Sequence, residues 1–290
     1  MNVLKKLSVY ILTGLCCLGI GATAQAAEKV GNGVYQLQTN VFDENFVTDS
    51  YSKADITNDG KADKIETECT PDEIDLKVNG QIVRSWLAGG VNISVVELSQ
   101  KAFLEITTYE NNNKITCGLY QIKKNSLTRV FDYKKLINLK QYVSNDFTTY
   151  SYYDTFEAMK TKGDTVYLKG RMGTKSLGQI YANGLQLVFD GKTFSLKSSA
   201  VPAEVKAISY SKGFSKTFIS AQKIQTYKAA ASSKKAFAIA KKTKFNIQKL
   251  AIIKKSIYVQ IKTSAGKTGW IQLTTSDKKL VTSGGVSMGG

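Results

Sequence analysis

The sequence predicts an all-β protein in two parts, an N-terminal antiparallel β-domain and a smaller, strongly basic β-module. Three observations carry this. Alternating or β-branched runs recur at short intervals, over 34–39, 64–69, 74–78, 91–98, 103–108, 115–122 and 165–170. Turn signals separate the runs: Asn58-Asp59-Gly60, Asn79-Gly80, Lys162-Gly163-Asp164 and Asp190-Gly191-Lys192, residue types that tolerate the tight turns of hairpins. The same pattern resumes beyond Ile219 over 222–227, 236–239, 244–253, 256–262 and 269–273, with Ile257, Val259 and Ile261 on one face and Tyr258, Gln260 and Lys262 on the other. Only 133–142 has a pattern suited to a helix.

Taken in order, the chain opens with Lys5 and Lys6, an apolar stretch over 7–20, and the small residues Ala22-Thr23-Ala24-Gln25-Ala26. This is the pattern of a secretory signal peptide over 1–27, cleaved after Ala26 or Ala27, and the apolar run is short for a membrane span. Residues 28–205 then form the body, long enough for a core of its own. Residues 206–280 form the second module, at the small end for independent stability. Pro202 sits where the charge balance changes, and 281–290 lack apolar patterning and read as a disordered tail.

Charge divides the chain at the same place. Residues 206–290 carry seventeen lysines, no arginine and one acid, Asp277, a net +16, whereas 28–205 hold 21 basic against 22 acidic residues. So lopsided a distribution points to a polyanionic partner. Lysine without arginine suits diffuse attraction to a polymer better than forked recognition of one group.

The chain has no histidine, which removes Ser-His-Asp and Cys-His catalysis and His-ligated zinc but leaves a carboxylate-pair glycosidase open. Cys69 and Cys117 remain after the leader, and an even pair in an oxidising compartment predicts a disulfide. Closing a loop of about 49 residues would contribute roughly 4 kcal/mol. The aromatic stretch Tyr150-Ser151-Tyr152-Tyr153 reads as a two-faced strand.

One loop has the spacing of a cation site. Asp55-Ile56-Thr57-Asn58-Asp59-Gly60-Lys61-Ala62-Asp63 places oxygens at alternate positions around a glycine, with Glu66 three residues on. Calcium wants six to eight hard oxygens, and the candidate ligands are Asp55, Thr57, Asp59, the Lys61 carbonyl, Asp63 and Glu66. Because Ile65, Thr67 and Cys69 alternate with Lys64, Glu66 and Glu68, the loop leads into a strand, unlike an EF-hand. Over roughly 45–132 the chain resembles FG-GAP repeats, the blade units of integrin-type propellers, through 54–65, Asp75-Leu76-Lys77-Val78-Asn79-Gly80 and Gly118-Leu119-Tyr120-Gln121-Ile122. The resemblance implies a structural calcium ion in a partial propeller or a sandwich.

In the second module, Gly266-Lys267-Thr268-Gly269-Trp270-Ile271 after Tyr258-Val259-Gln260-Ile261 resembles the closing motif of bacterial SH3-like cell-wall modules and of the related Gly-Trp modules. Ala240-Lys241-Lys242-Thr243-Lys244-Phe245 is similar to an earlier segment of theirs, while the Asn-Val-Arg type segment of peptidoglycan binders is replaced by Ile224-Gln225-Thr226-Tyr227-Lys228. The resemblance implies a small bent barrel that binds cell-wall polymer. The contact candidates are Tyr227, Tyr258 and Trp270, with Lys241, Lys242, Lys254, Lys255 and Lys267 supplying charge. The expectation is a secreted, non-catalytic envelope protein tethered to teichoic acid or peptidoglycan. A carboxylate-dependent glycan hydrolase targeted by the module, or an adhesin, are the alternatives.

Overall fold

A computed structural model describes residues 25–38, 49–70, 72–87, 90–110, 113–138, 155–174, 177–206, 215–273 and 280–283. Among these the fold is all-β, as the residue patterns predict. The first strands are β1 (Gln25–Ala26), β2 (Glu28–Gly31), β3 (Val34–Gln38), β4 (Asp49–Tyr51), β5 (Ile65–Cys69), β6 (Glu73–Val78), β7 (Gln81–Leu87), β8 (Val91–Glu97), β9 (Ala102–Glu110), β10 (Asn113–Lys123) and β11 (Ser126–Asp132). Where a helix is expected over 133–142, a single 3₁₀ turn runs Tyr133–Lys135 with Asp132 capping Lys134 N; 139–142, like Tyr150 to Tyr153, lie outside the described residues. Next come β12 (Thr155–Lys162), β13 (Thr165–Thr174), β14 (Gly178–Phe189), β15 (Phe194–Leu196) and β16 (Val201–Val205). The basic module holds β17 (Phe218–Ser220), β18 (Ile224–Tyr227), β19 (Lys235–Ile239), β20 (Lys244–Ile253), β21 (Ser256–Thr263), β22 (Thr268–Gln272) and β23 (Val281–Ser283). β23 pairs with β17, so Val281–Ser283 form a strand at the start of the expected disordered tail, and 284–290 lie outside the described residues.

The strands make three sheets, ordered β1-β4-β5-β6-β7, then β11-β10-β9-β8-β3-β2, and a larger sheet running β12-β13-β14-β16-β20-β21-β22-β18-β19. The second sheet is the middle layer, because both of its faces are buried. Leu37, Ile93, Leu104 and Ile122 pack with Ile65, Ile74 and Leu76 of the first sheet. Val34, Val96, Phe103 and Leu119 pack with Val166, Leu168, Ile180 and Leu187 of the third. The body is therefore a layered sandwich rather than a propeller blade.

That layering explains why no disulfide joins Cys69 and Cys117. Cys117 is buried in the cluster on one side of the middle sheet, while Cys69 packs on the cluster of the other side. A sheet's thickness separates sulfurs that would have to lie about 2 Å apart. Burial, reinforced by the charges of Asp49 and Glu68, pushes the Cys69 thiol up to about 11.

The third sheet crosses the expected boundary at 205/206 without interruption. β16 pairs with β14 through Ala203 to Val205 and with β20 through Val201 and Pro202. The buried cluster follows, running from Phe156 and Leu185 to Leu250, Val259, Ile261 and Ile271. Within the basic module the sheet order is β20-β21-β22-β18-β19, yet β19 and β20 are joined only by Ala240 to Thr243. Four residues span at most about 14 Å, so the sheet must curl until its edges approach. Ser220 clamps that turn: its Oγ donates to Ala240 O and accepts from Thr243 N. No ladder joins the two edges among the described residues, so the expected small barrel is a strongly bent open sheet.

Candidate functional site

Direct cross-strand partners share a face of a sheet, and the register of the basic module assembles one row. Lys235 lies opposite Tyr227, Tyr227 opposite Trp270, Trp270 opposite Gln260, and Gln260 opposite Lys249. Tyr258 and Gln272 form the next pair on the same face. The residues between them, Ile257, Val259, Ile261 and Ile271, point the other way into the core. Trp270 belongs to neither buried cluster, although it is only 7 % exposed; its ring forms the floor of the outer face.

Gly269 explains the Gly-Trp dipeptide. A Cβ there would stand 2.6 Å from Cβ and Oγ1 of Thr226 and 3.2 Å from the Phe237 ring. Glycine lets β18 and β19 close over the β22 backbone, which brings Tyr227 beside Trp270.

Tyr227, Tyr258 and Trp270 line one open cleft of about 630 Å³, together with Lys223, Lys235 and Gln225. All three aromatics expected from the sequence therefore meet. The five expected lysines do not line the cleft but occupy other turns of the module. Lys241 and Lys242 lie in the Ser220-clamped turn, Lys254 and Lys255 form the β20–β21 hairpin tip, and Lys267 sits in the β21–β22 turn with Nζ 6.0 Å from the centre of the Phe237 ring. Lys223 and Lys235 were not anticipated. For Lys235 the signal is its register opposite Tyr227, which depends on knowing that β18 pairs with β19. The arrangement offers faces for stacking, amide groups and mobile cations, chemistry suited to a polyhydroxylated, negatively charged chain.

The calcium-type loop is organised around its own backbone. Asp55 accepts from the N–H groups of Asn58, Asp59 and Gly60 at 2.6, 3.2 and 2.9 Å. Asp63, 1 % exposed, accepts from Ile56 N, Thr57 N, Thr57 Oγ1 and Asn79 Nδ2. A carboxylate has about four lone-pair sites, so Asp63 is saturated. Asp59 accepts from Lys61 N, and Glu66, on the face of β5 opposite Ile65, pairs with Lys64 at 2.7 Å. Asp55, Thr57 and Asp63 are thus drawn together while Glu66 is directed elsewhere. No three acid or thiol groups among the described residues converge as a metal site, and the N–H groups that Asp55 and Asp63 accept from hold the loop together on their own. Asn58 and Gly60, at φ 62° and 87°, let the loop turn its N–H groups inward.

The body has an open cleft of about 660 Å³ at one end of its first two sheets, between the edge strands β7 and β11. Arg84 and Trp86 line one wall, with Tyr120 and Leu127 across from them. No protein-family model, curated protein or solved structure matches this chain.

Proposed function

We propose that the protein is a secreted, non-catalytic component of a cell envelope, whose basic module tethers the layered body to an anionic wall polymer, teichoic acid or peptidoglycan. The observation that carries this reading is the outer face of the module: an open cleft lined by Tyr227, Tyr258 and Trp270 with Lys223 and Lys235, in a segment with a single acid. Stacking on the rings gives orientation, and the lysines give long-range attraction that salt screens. The two clefts described above carry no acid on their walls, so the carboxylate-hydrolase reading gains no support from them.

Co-sedimentation of the full chain with bacterial wall sacculi, native and stripped of teichoic acid, tests the reading across a salt series. Binding that disappears on stripping and in moderate salt supports a teichoic acid tether. Binding that survives both, and is lost in Y227A/Y258A, assigns peptidoglycan recognition to the aromatic face. No binding at low salt overturns the reading and directs attention to the Trp86 cleft as an adhesin site.

A further inference from the structure

The aromatic cleft has a direction and a cation at each end. β18 runs along it: Lys223, Gln225 and Tyr227 face the opening, since the alternate residues Ile224 and Thr226 are buried. Lys223 stands at one end, and Lys235, the cross-strand partner of Tyr227, at the other. A strand rises about 3.3 Å per residue, so the two ends lie about 13 Å apart along β18. On β22 the antiparallel pairing of Tyr227 with Trp270 carries Gln272 to the place beside Gln225, and both amides line the cleft. Gln225 Nε2 donates to Thr226 O and Phe237 O at 2.9 and 3.1 Å, which fixes its amide between the lysines.

The wall at the Lys235 end is built from small residues. The β18–β19 loop closes through Lys228 N on Lys234 O at 2.9 Å and Lys234 N on Ser232 Oγ at 3.1 Å, and it presents Ala229, Ala231 and Ser233 to the cleft. Ala231 holds φ 56°, a left-handed conformation that disfavours any residue with a Cβ. Short side chains keep this end open, so a chain longer than the cleft can lie in it and run on past Lys235.

Three kinds of polymer meet such a cleft differently. An acyclic polyol phosphate answers the lysines but gives Tyr227 and Tyr258 no ring to pack against. A neutral glycan answers the tyrosines and the amides but leaves the two cations unused. A chain of sugar rings that carries oxyanions answers all of them, with apolar ring faces on the aromatics and point charges at the ammonium groups. We infer that the cleft binds a short run of sugar rings bearing oxyanions, phosphate or carboxylate, with a ring against Tyr227 and Tyr258 and an oxyanion at Lys223 and at Lys235. The inference rests on the proposed tether and narrows its polymer to one chemical class.

The test measures binding of the full chain to four oligomers of similar length: a hexose phosphate, an oligogalacturonate, a glycerol phosphate and a neutral chitin oligomer. The proteins are wild type, K223Q/K235Q, K254Q/K255Q as an equal change of charge outside the cleft, and Y227A/Y258A, with unchanged thermal unfolding as the folding control. Wild type is expected to prefer a ring-bearing anion over both the glycerol phosphate and the chitin oligomer, and the better of the two ring-bearing anions identifies the oxyanion. K223Q/K235Q should lose about tenfold or more in affinity for it, and K254Q/K255Q distinctly less. Y227A/Y258A should abolish the preference for rings over the glycerol phosphate. If wild type binds the glycerol phosphate as tightly as the ring-bearing anions, or if the two lysine pairs lose equally, the ring site is overturned and the tether stands on diffuse charge. Tightest binding of the chitin oligomer overturns the charged ends. If wild type binds no anionic oligomer in low salt, the tether to an anionic polymer falls together with the site.

Discussion

The body and the basic module both bury phenylalanines in the shared core, but the module also sets a row of three aromatics on one outer face. In the body, Phe103, Phe189 and Phe194 meet edge to face or tilted within 5.2 Å, between the middle and third layers. In the module, Phe218 and Phe245 stack in the core at 5.6 Å, while Tyr227, Tyr258 and Trp270 stand on the outer face, over Ile257, Val259, Ile261 and Ile271. Each fully buried aliphatic side chain contributes roughly 1.5–3 kcal/mol, which lets the module hold its shape under a charge of one sign. One buried core thus runs through both regions, and the module alone adds the outer aromatic row to which the proposed function assigns binding. Substitutions in the two regions should therefore separate stability from affinity.

The largest effect is expected in the body's loop. Asp63→Ala strands the buried N–H of Ile56 and takes away the acceptor of the part-buried Thr57 N–H and of the Asn79 amide, at a cost of about 3 kcal/mol. Urea unfolding should show that loss with polymer binding unchanged in the folded protein. Because the acids are already occupied by N–H groups, adding calcium or a chelator should leave the Tm of the wild type where it is. A calcium-dependent rise would return the loop to cation binding.

A second, smaller effect separates the layers by pH. Tyr133 is fully buried and donates to Glu105 at 2.7 Å, and burial, with the Glu105 charge adding to it, holds the phenol well above its ordinary value. Cys69 is likewise raised from 9.0 to about 11. Both groups are neutral when protonated, so the folded state keeps protons that the unfolded chain releases. Their contribution is complete below pH 9 and is lost as pH rises through 9 to 11 and beyond. Denaturation curves from pH 8 to 11 should fall with pH, and C69S should flatten the first part of the decline. Tyr133→Phe should cost about 1–3 kcal/mol at neutral pH, because Glu105 loses a donor in the interior. A pH-independent midpoint would sink this assignment.

Much of the module was legible in the residues, and much of the layering was not. Lys244–Ile253 and Ser256 onward alternate or branch at Cβ with few interruptions, and they form β20 and β21 where expected. β14 escaped notice because Gly184, at φ 90°, and the shift between Leu168 and Lys169 break its period of two. β7 is hidden by an extra residue of its own, Val83, which stands between Ile82 and Arg84, the partners of the consecutive Lys77 and Leu76. Pro202 reads as a linker, but it sits in β16 where pairing with β14 begins only at Ala203, so the missing N–H is needed on one side at most. The cysteine pairing failed for a different reason. It depends on which face of which sheet each residue occupies, and that is fixed by long-range pairings such as β3 with β8. The aromatic site was visible as residue types, whereas its lysine partners Lys223 and Lys235 and the body cleft needed the register.

The smallest expected effect makes the sharpest comparison, between two hairpins of the same geometry. β6 and β7 are joined by Asn79 and Gly80, at φ 52° and 80°, and β20 and β21 by Lys254 and Lys255, at φ 47° and 67°. Two-residue hairpins of this kind need positive φ at both positions, which Asn-Gly adopts readily. A lysine there pays about 1–2 kcal/mol for the contact of its Cβ with the backbone. The body thus uses the relaxed sequence and the module a strained one, and the strain places two cations at an exposed tip. Lys254→Asn with Lys255→Gly should raise stability by about 1 kcal/mol, since the Lys255 carbonyl that accepts from Asn138 N is retained by glycine. The same change removes two positive charges, so affinity for an anionic polymer should fall and its dependence on salt should become shallower. Unfolding and binding measured on one preparation decide the matter. Higher stability with undiminished binding would show that the tip lysines serve no tether, whereas opposite shifts would mean that this hairpin trades stability for contact with the polymer.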